Sequence, residues 1–99
     1  MKRPVRVLRR AQVDLLEIQA YVLRDNPAAA VRLIDDLVGE LQRLGAFPSR
    51  GASPKDERLR KVEYRYLIHG EYLVFYKVFA THVRVYRVVH GRRTYKHLL

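Results

Sequence analysis

The chain reads as an α+β domain in the order β-α-α-β-β-β: an antiparallel sheet, a helical hairpin packed on one of its faces, and a short C-terminal tail. Three observations predict this. Apolar residues recur every three or four positions in two successive stretches, separated by "RDNPAAA". From Val62 onward the apolar period drops to two. Turn residues then recur about every ten positions. The first period is that of a helix with one buried face, the second that of a strand.

Each element follows from its own residues. Val5 to Leu8 alternates apolar and basic and predicts a short first strand. Ala11, Leu15, Ile18 and Val22 make one stripe of an amphipathic helix running from Arg10 to Arg24. Asn26 is a capping residue, and Pro27 suits a first helical turn, where its missing N–H is no loss. The second helix carries Val31, Ile34, Leu37, Val38, Leu41 and Leu44 at helical steps, with Gly45 as its C-terminal cap. Gly39 inside it costs about 1 kcal/mol against alanine and marks a place for close packing on the first helix. The short break between the helices predicts an antiparallel hairpin.

"FPSRGASPKDE" predicts a loop. Val62, Tyr64, Tyr66 and Ile68 then alternate with Glu63, Arg65 and Leu67. His69-Gly70 is a tight turn. Tyr72 to Phe79 is apolar on both sides except at Lys77, as a central strand requires. After Ala80-Thr81-His82 the last strand runs from Val83 to His90. These three strands form an antiparallel meander. No repeat or linker interrupts them, so residues 1–99 read as a single domain. The face away from the helices is expected to carry Arg65, Tyr86 or Arg87, according to registers that the pattern does not decide.

Composition narrows the function. A 99-residue chain buries roughly 60–65% of its unfolded surface, so a partner that adds buried surface matters to it. A hydrophobic share of 48% argues for a packed domain over a disordered one. The net charge of +10 predicts attraction to an acidic protein, a nucleic acid or an anionic surface. Lys2, Arg3, Arg6, Arg9 and Arg10 crowd one end; Arg84, Arg87, Arg92, Arg93 and Lys96 crowd the other, with no acid from 84 to 99. The absence of cysteine excludes disulfides and thiol chemistry and fits a reducing cytoplasm. "MKRPVRVLRR" lacks the apolar core of a secretory signal, and no apolar run approaches the ~20 residues of a membrane span. His69, His82 and His97 are scattered, so no metal site and no cofactor is expected.

Five segments together carry a family resemblance: "LRRAQVDLLEIQAYV", "DNPAAAVRLIDDL", "FPSRG", "LRKVEYRYLIHGEYLVFYKV" and "VRVYRVVHGRRTYKHLL". In this order, over nearly the whole chain, they resemble the ParE toxins of the RelE/ParE toxin–antitoxin superfamily. The resemblance implies the same β-α-α-β-β-β core. It implies a cytoplasmic toxin that arrests growth by binding DNA gyrase and stabilising its DNA-cleaved state. Such a toxin is not an enzyme. It is neutralised by a ParD-like antitoxin in a hetero-oligomeric complex, and operator DNA is reached only through that antitoxin.

The RelE branch shares the fold and cleaves mRNA on the ribosome, which makes ribonuclease activity the runner-up. A non-toxic basic nucleic-acid-binding module is the third alternative. RNA cleavage needs a base, an acid and cations for the phosphate. The equivalents here are His90, Tyr95, Arg65 and Arg87. His90 has a suitable intrinsic pKa, the arginines suit phosphate, and Tyr95 suits stacking on a base. The structural alternatives are that His90 caps a strand end, that Tyr95 packs on the sheet, and that the arginines pair with Glu63, Glu71 or Glu17. For gyrase binding the expected surface is Arg65, Arg87, His90, Arg92, Arg93, Tyr95 and Lys96. For the antitoxin it is a groove beside the hairpin lined by Leu15, Tyr21, Leu37 or Leu41, with a further strand at the sheet edge.

Overall fold

The computed structural model describes residues 2–92 and 99. The first helical stripe forms α1, Arg9–Leu23, within a residue of its expected ends. Its Ala11 is buried, and Leu15 and Ile18 pack against the core. No side chain caps its N-terminus. Instead Gln12 turns back and donates to Val7 O at 2.9 Å, tying the helix to the strand before it. The second helix, α2, is Pro27–Arg43. Asn26 caps it, its Oδ1 accepting the Ala29 N–H at 3.1 Å. Leu37, Leu41 and Leu44 bury the inward stripe.

Two glycines do other work than the sequence suggested. Gly39 faces the Arg43 guanidinium of its own helix and not α1. Gly45 does not take the left-handed conformation of a helix cap. It is needed for a close approach: a Cβ there would press into the Arg3 carbonyl, and Arg3 N–H donates to Gly45 O at 2.9 Å.

The sheet has the order β1-β4-β3-β2, with β1 Val5–Val7, β2 Arg65–His69, β3 Tyr72–Val78 and β4 Val83–His90. The meander of β2, β3 and β4 is antiparallel, and β1 joins β4 in parallel. Thus β3 and β4 are central and β1 has an open outer edge. At the other edge Ala52 bridges Tyr66.

A β-bulge governs the two faces. Phe75 pairs with Arg87 and the next residue, Tyr76, pairs with Val85, so β4 holds one extra residue at Tyr86. Before the bulge the odd-numbered Val83 and Val85 face the helices; after it the even-numbered Val88 does. Val74, Tyr76 and Leu67 join them, giving the main core between sheet and hairpin. Of the three residues expected on the opposite face, only Tyr86 lies there. Arg87, at the parity switch, turns toward α1, and Arg65 shares its parity with the helix-facing Leu67.

That opposite face is not bare. It carries a second cluster of Leu59, Tyr64, Phe75 and Val89, on which Leu99 also packs. Leu59 belongs to a short helix, α3, Glu57–Lys61, which fills the interval between the "FPSRGASPKDE" loop and Val62. Asp56 builds it, its Oδ1 accepting the Arg58 N–H at 2.9 Å and the Leu59 N–H at 3.3 Å. Glu63 then reverses the chain at φ 63°, and β2 begins only at Arg65.

Candidate functional site

The expected contact residues divide into three groups. The first is structural. Arg87 is 6% exposed, and its Nε and a terminal nitrogen donate to the two carboxylate oxygens of Asp14 at 2.8 and 2.9 Å. Asp14 Oδ2 also accepts the Val88 N–H at 2.9 Å. The hydrogen bonds to Asp14 raise the Arg87 pKa further above its usual range, so this cation is permanent. Outside the pair, Arg10 reaches Asp14 at 3.4 Å and Glu17 at 3.5 Å. Arg87 is therefore withdrawn from the surface: burying a guanidinium requires a carboxylate, and α1 supplies one.

Arg65 is likewise engaged. Its guanidinium donates to Ser49 O at 3.1 Å and to Gly51 O, pinning the "PSRG" loop over β2. The Tyr76 hydroxyl closes the same loop, donating to Pro48 O at 2.8 Å and accepting the Gly51 N–H at 2.9 Å. Leu37 is 0% exposed and consumed by the core, whereas Leu41, 2% exposed, forms part of the floor of a small hollow beside Leu15.

The second group forms a surface. Tyr21, Glu17 and Ile18 of α1 face Tyr72 of β3, Glu71 in the turn before it, and His90 and Arg92 at the end of β4, around a groove of about 530 Å³. Three contacts orient His90 there. Its Nδ1 accepts the Arg92 N–H at 3.1 Å, its Nε2 lies 3.6 Å from Glu71, and its ring stands edge-on to Tyr72 at 5.5 Å. It thus caps the strand end and rims the groove at once. Tyr21 is exposed beside it. Leu15 lines a smaller hollow of about 270 Å³ with Val5, Val7 and Val38, next to the open edge of β1.

The third group, Arg93, Tyr95 and Lys96, lies outside the described residues. Among the described residues no three His, Asp or Glu side chains gather as a metal-ligand set, and no helix is long and apolar enough to cross a membrane.

The Asp14–Arg87 pair was missed in the sequence, although a signal was there. Asp14 falls on the apolar stripe of α1, three residues after Ala11 and four before Ile18. An acid at a core-facing position demands a buried cation, and Arg87 continues the inward series Val83, Val85.

Comparison with known proteins follows this geometry. A solved chain described as a chromosomal ParDE toxin–antitoxin system from P. aeruginosa matches with a TM-score of 0.75 at 18% identity, covering 90% of this chain and 96% of that one. The toxin–antitoxin complex RelBE2 from Mycobacterium tuberculosis matches with a TM-score of 0.68 at 22% identity, covering 91% and 92%. At these identities the likeness is one of fold. Among curated proteins no significant match was found. The family model of the ParE toxin of the type II parDE toxin–antitoxin system matches residues 5–95. With the fold, the groove and this match over almost the whole length, the chain belongs to the ParE toxin family of type II toxin–antitoxin systems.

Proposed function

We propose that this toxin acts by binding, as a cytoplasmic inhibitor that holds DNA gyrase in its DNA-cleaved state, and not as a ribonuclease. The observation that carries the reading is the engagement of Arg87 and Arg65. The two strand arginines that would cradle a scissile phosphate are spent on Asp14 and on the Ser49 and Gly51 carbonyls. His90 accepts the Arg92 N–H on Nδ1 and sets Nε2 beside Glu71, as a strand cap at the groove rim, while the strand arginines are held by Asp14 and the Ser49 carbonyl. The target contact then falls to His90, Arg92, Arg93, Tyr95 and Lys96, a basic arm that suits acidic protein and bound DNA.

Neutralisation would come from a ParD-like antitoxin segment. Its helix would lie in the groove of Ile18, Tyr21 and Tyr72, and its strand would extend the sheet at the open edge of β1 beside Leu15. Titrating the toxin into gyrase supercoiling and cleavage assays tests the target. Inhibition with accumulated linear DNA is expected. Unaffected gyrase, together with mRNA cuts on translating ribosomes, would replace this reading with the RelE-like one.

A further inference from the structure

The strand registers place three basic side chains in one row across the sheet. Arg6 of β1 pairs with Arg84 of β4, and Arg84 pairs with Lys77 of β3. Val5 and Val7 pack toward the helices, so Arg6 between them points to the opposite face. On that face Lys77 Nζ lies 4.4 Å from the Tyr64 ring centre and 5.2 Å from that of Tyr86. The Arg84 guanidinium lies 4.6 Å from the Phe79 ring centre and 3.4 Å from the Tyr86 hydroxyl. The rings hold two of the three cations in place. Neighbouring strands stand ~4.8 Å apart, so the row spans about 10 Å.

Like charges directly opposite one another destabilise a sheet, and here two such pairs share Arg84. Among the described residues, none of the three cations makes an ion pair with a carboxylate. His82, whose Nε2 lies 3.3 Å from Arg84, adds no negative charge. A cationic row that the described residues do not neutralise calls for an external anion.

We infer that Arg6, Arg84 and Lys77 bind the phosphate backbone of duplex DNA. Two observations choose the duplex. Single strands are held by stacking bases on free aromatic faces. Here Lys77 sits over Tyr64 and Tyr86, and Phe79 carries Arg84 and, stacked at 4.8 Å, His82. An acidic peptide would add as a strand at a sheet edge, where it would lie beside Arg6 alone, whereas Arg84 and Lys77 sit on the paired central strands β4 and β3. Binding would be independent of sequence and steeply salt-dependent.

The test uses the full chain and a short, mixed-sequence, fluorescently labelled duplex, with anisotropy followed against salt. It contains neither gyrase nor ribosome, so its outcome is independent of the toxin's target. The triple variant Arg6→Gln, Lys77→Gln, Arg84→Gln is expected to bind about tenfold or more weakly, with a salt slope shallower by about 2–3. A control losing equal charge at the exposed Arg24, Arg32 and Lys55 is expected to keep the slope. If the triple variant does not fold, Arg6→Gln alone, at the sheet edge, is expected to lower the slope by about 1. Equal slope losses in triple variant and control overturn the inference. So does failure of the full chain to bind duplex, or tighter binding of a single strand or of a polyglutamate peptide.

Discussion

Asp14 on α1 and Arg87 on β4 hold each other through two hydrogen bonds of 2.8 and 2.9 Å, in a site where both side chains are more than nine-tenths buried. The pair is the one place where the helical hairpin is tied to the central strand by charge as well as by packing among the described residues. Removing one partner strands the other in a dry environment. Asp14→Asn and Arg87→Gln are each expected to lower stability by about 3–5 kcal/mol. Since small domains hold only about 5–15 kcal/mol in total, either variant approaches the unfolding threshold. The double variant is expected to cost less than the sum, by about 0.5–3 kcal/mol. Urea unfolding of the four proteins measures this, and additive losses would show that the two groups do not act as a pair.

The hydroxyl of Tyr76 is the second tertiary latch. It donates to Pro48 O and accepts from Gly51 N–H, and the ring around it is 0% exposed. Tyr76→Phe keeps the ring and strips both hydrogen bonds, leaving a carbonyl and an N–H without their partner. The expected loss is about 1–3 kcal/mol. The "PSRG" loop should also become more open to cleavage under limited proteolysis, with Arg65, the Arg50–Glu40 ion pair and the Ala52–Tyr66 bridge left to hold it. An unchanged cleavage pattern would show that the loop is fixed by these other ties and not by the hydroxyl.

His82 predicts an acid sensitivity. Burial first, and then the guanidinium groups of Arg6 and Arg84, hold its pKa below the usual imidazole value of 6.5. With Arg84 donating to Nε2, the neutral ring leaves its proton on Nδ1, facing Thr81 Oγ1 at 3.0 Å. In this region the unfolded chain binds the proton more readily than the folded one, so stability falls as pH drops through about 6.5. Glu40, whose carboxylate is lowered on balance by Arg43 and Arg50 against its own burial, acts only below 4.5, outside this window. Chemical denaturation at pH 7.5 and 5.5 should therefore show a loss in the parent that is smaller in His82→Gln. Equal losses in both would assign the acid sensitivity to another group.

What was legible in the chain is what repeats locally. The α1 and α2 stripes and the alternation of β2 to β4 state their periods within each element, and their ends fell within a few residues of expectation. What was not legible depends on distant pairing. The extra residue at Tyr86 changes which side of β4 faces the helices, and it shows only against Phe75 and Tyr76 on β3. Beyond it, hydrophobic parity read along β4 alone points Val88 the wrong way. Asp14 and Arg87 are 73 positions apart, so their pairing is a property of the fold. The parallel seat of β1 beside β4 is of the same kind. For α3 the only local marks were Asp56 and Leu59, two residues inside a segment rich in turn formers. The row of Arg6, Arg84 and Lys77 is the extreme case, since it exists only once three strands are in register.

The end of α3 offers a prediction of gain. Tyr64 N–H donates to Leu59 O at 3.0 Å across the turn, closing the six-residue hydrogen bond that ends many helices. The residue within that turn is Glu63, at φ 63°, where glycine is the usual occupant. A side chain in the left-handed region costs about 1–2 kcal/mol. Glycine removes that strain, but its freer unfolded chain returns about 0.4–1 kcal/mol of the gain. Glu63→Gly is therefore expected to raise stability by up to ~1.5 kcal/mol, and Glu63→Val, whose branched Cβ crowds the turn, to lower it. Because Leu59 and Tyr64 anchor the second cluster, both changes should appear as shifts in hydrogen exchange at the Tyr64 amide. A Glu63→Gly variant less stable than the parent would mean that the Glu63 side chain itself contributes a contact worth more than the strain.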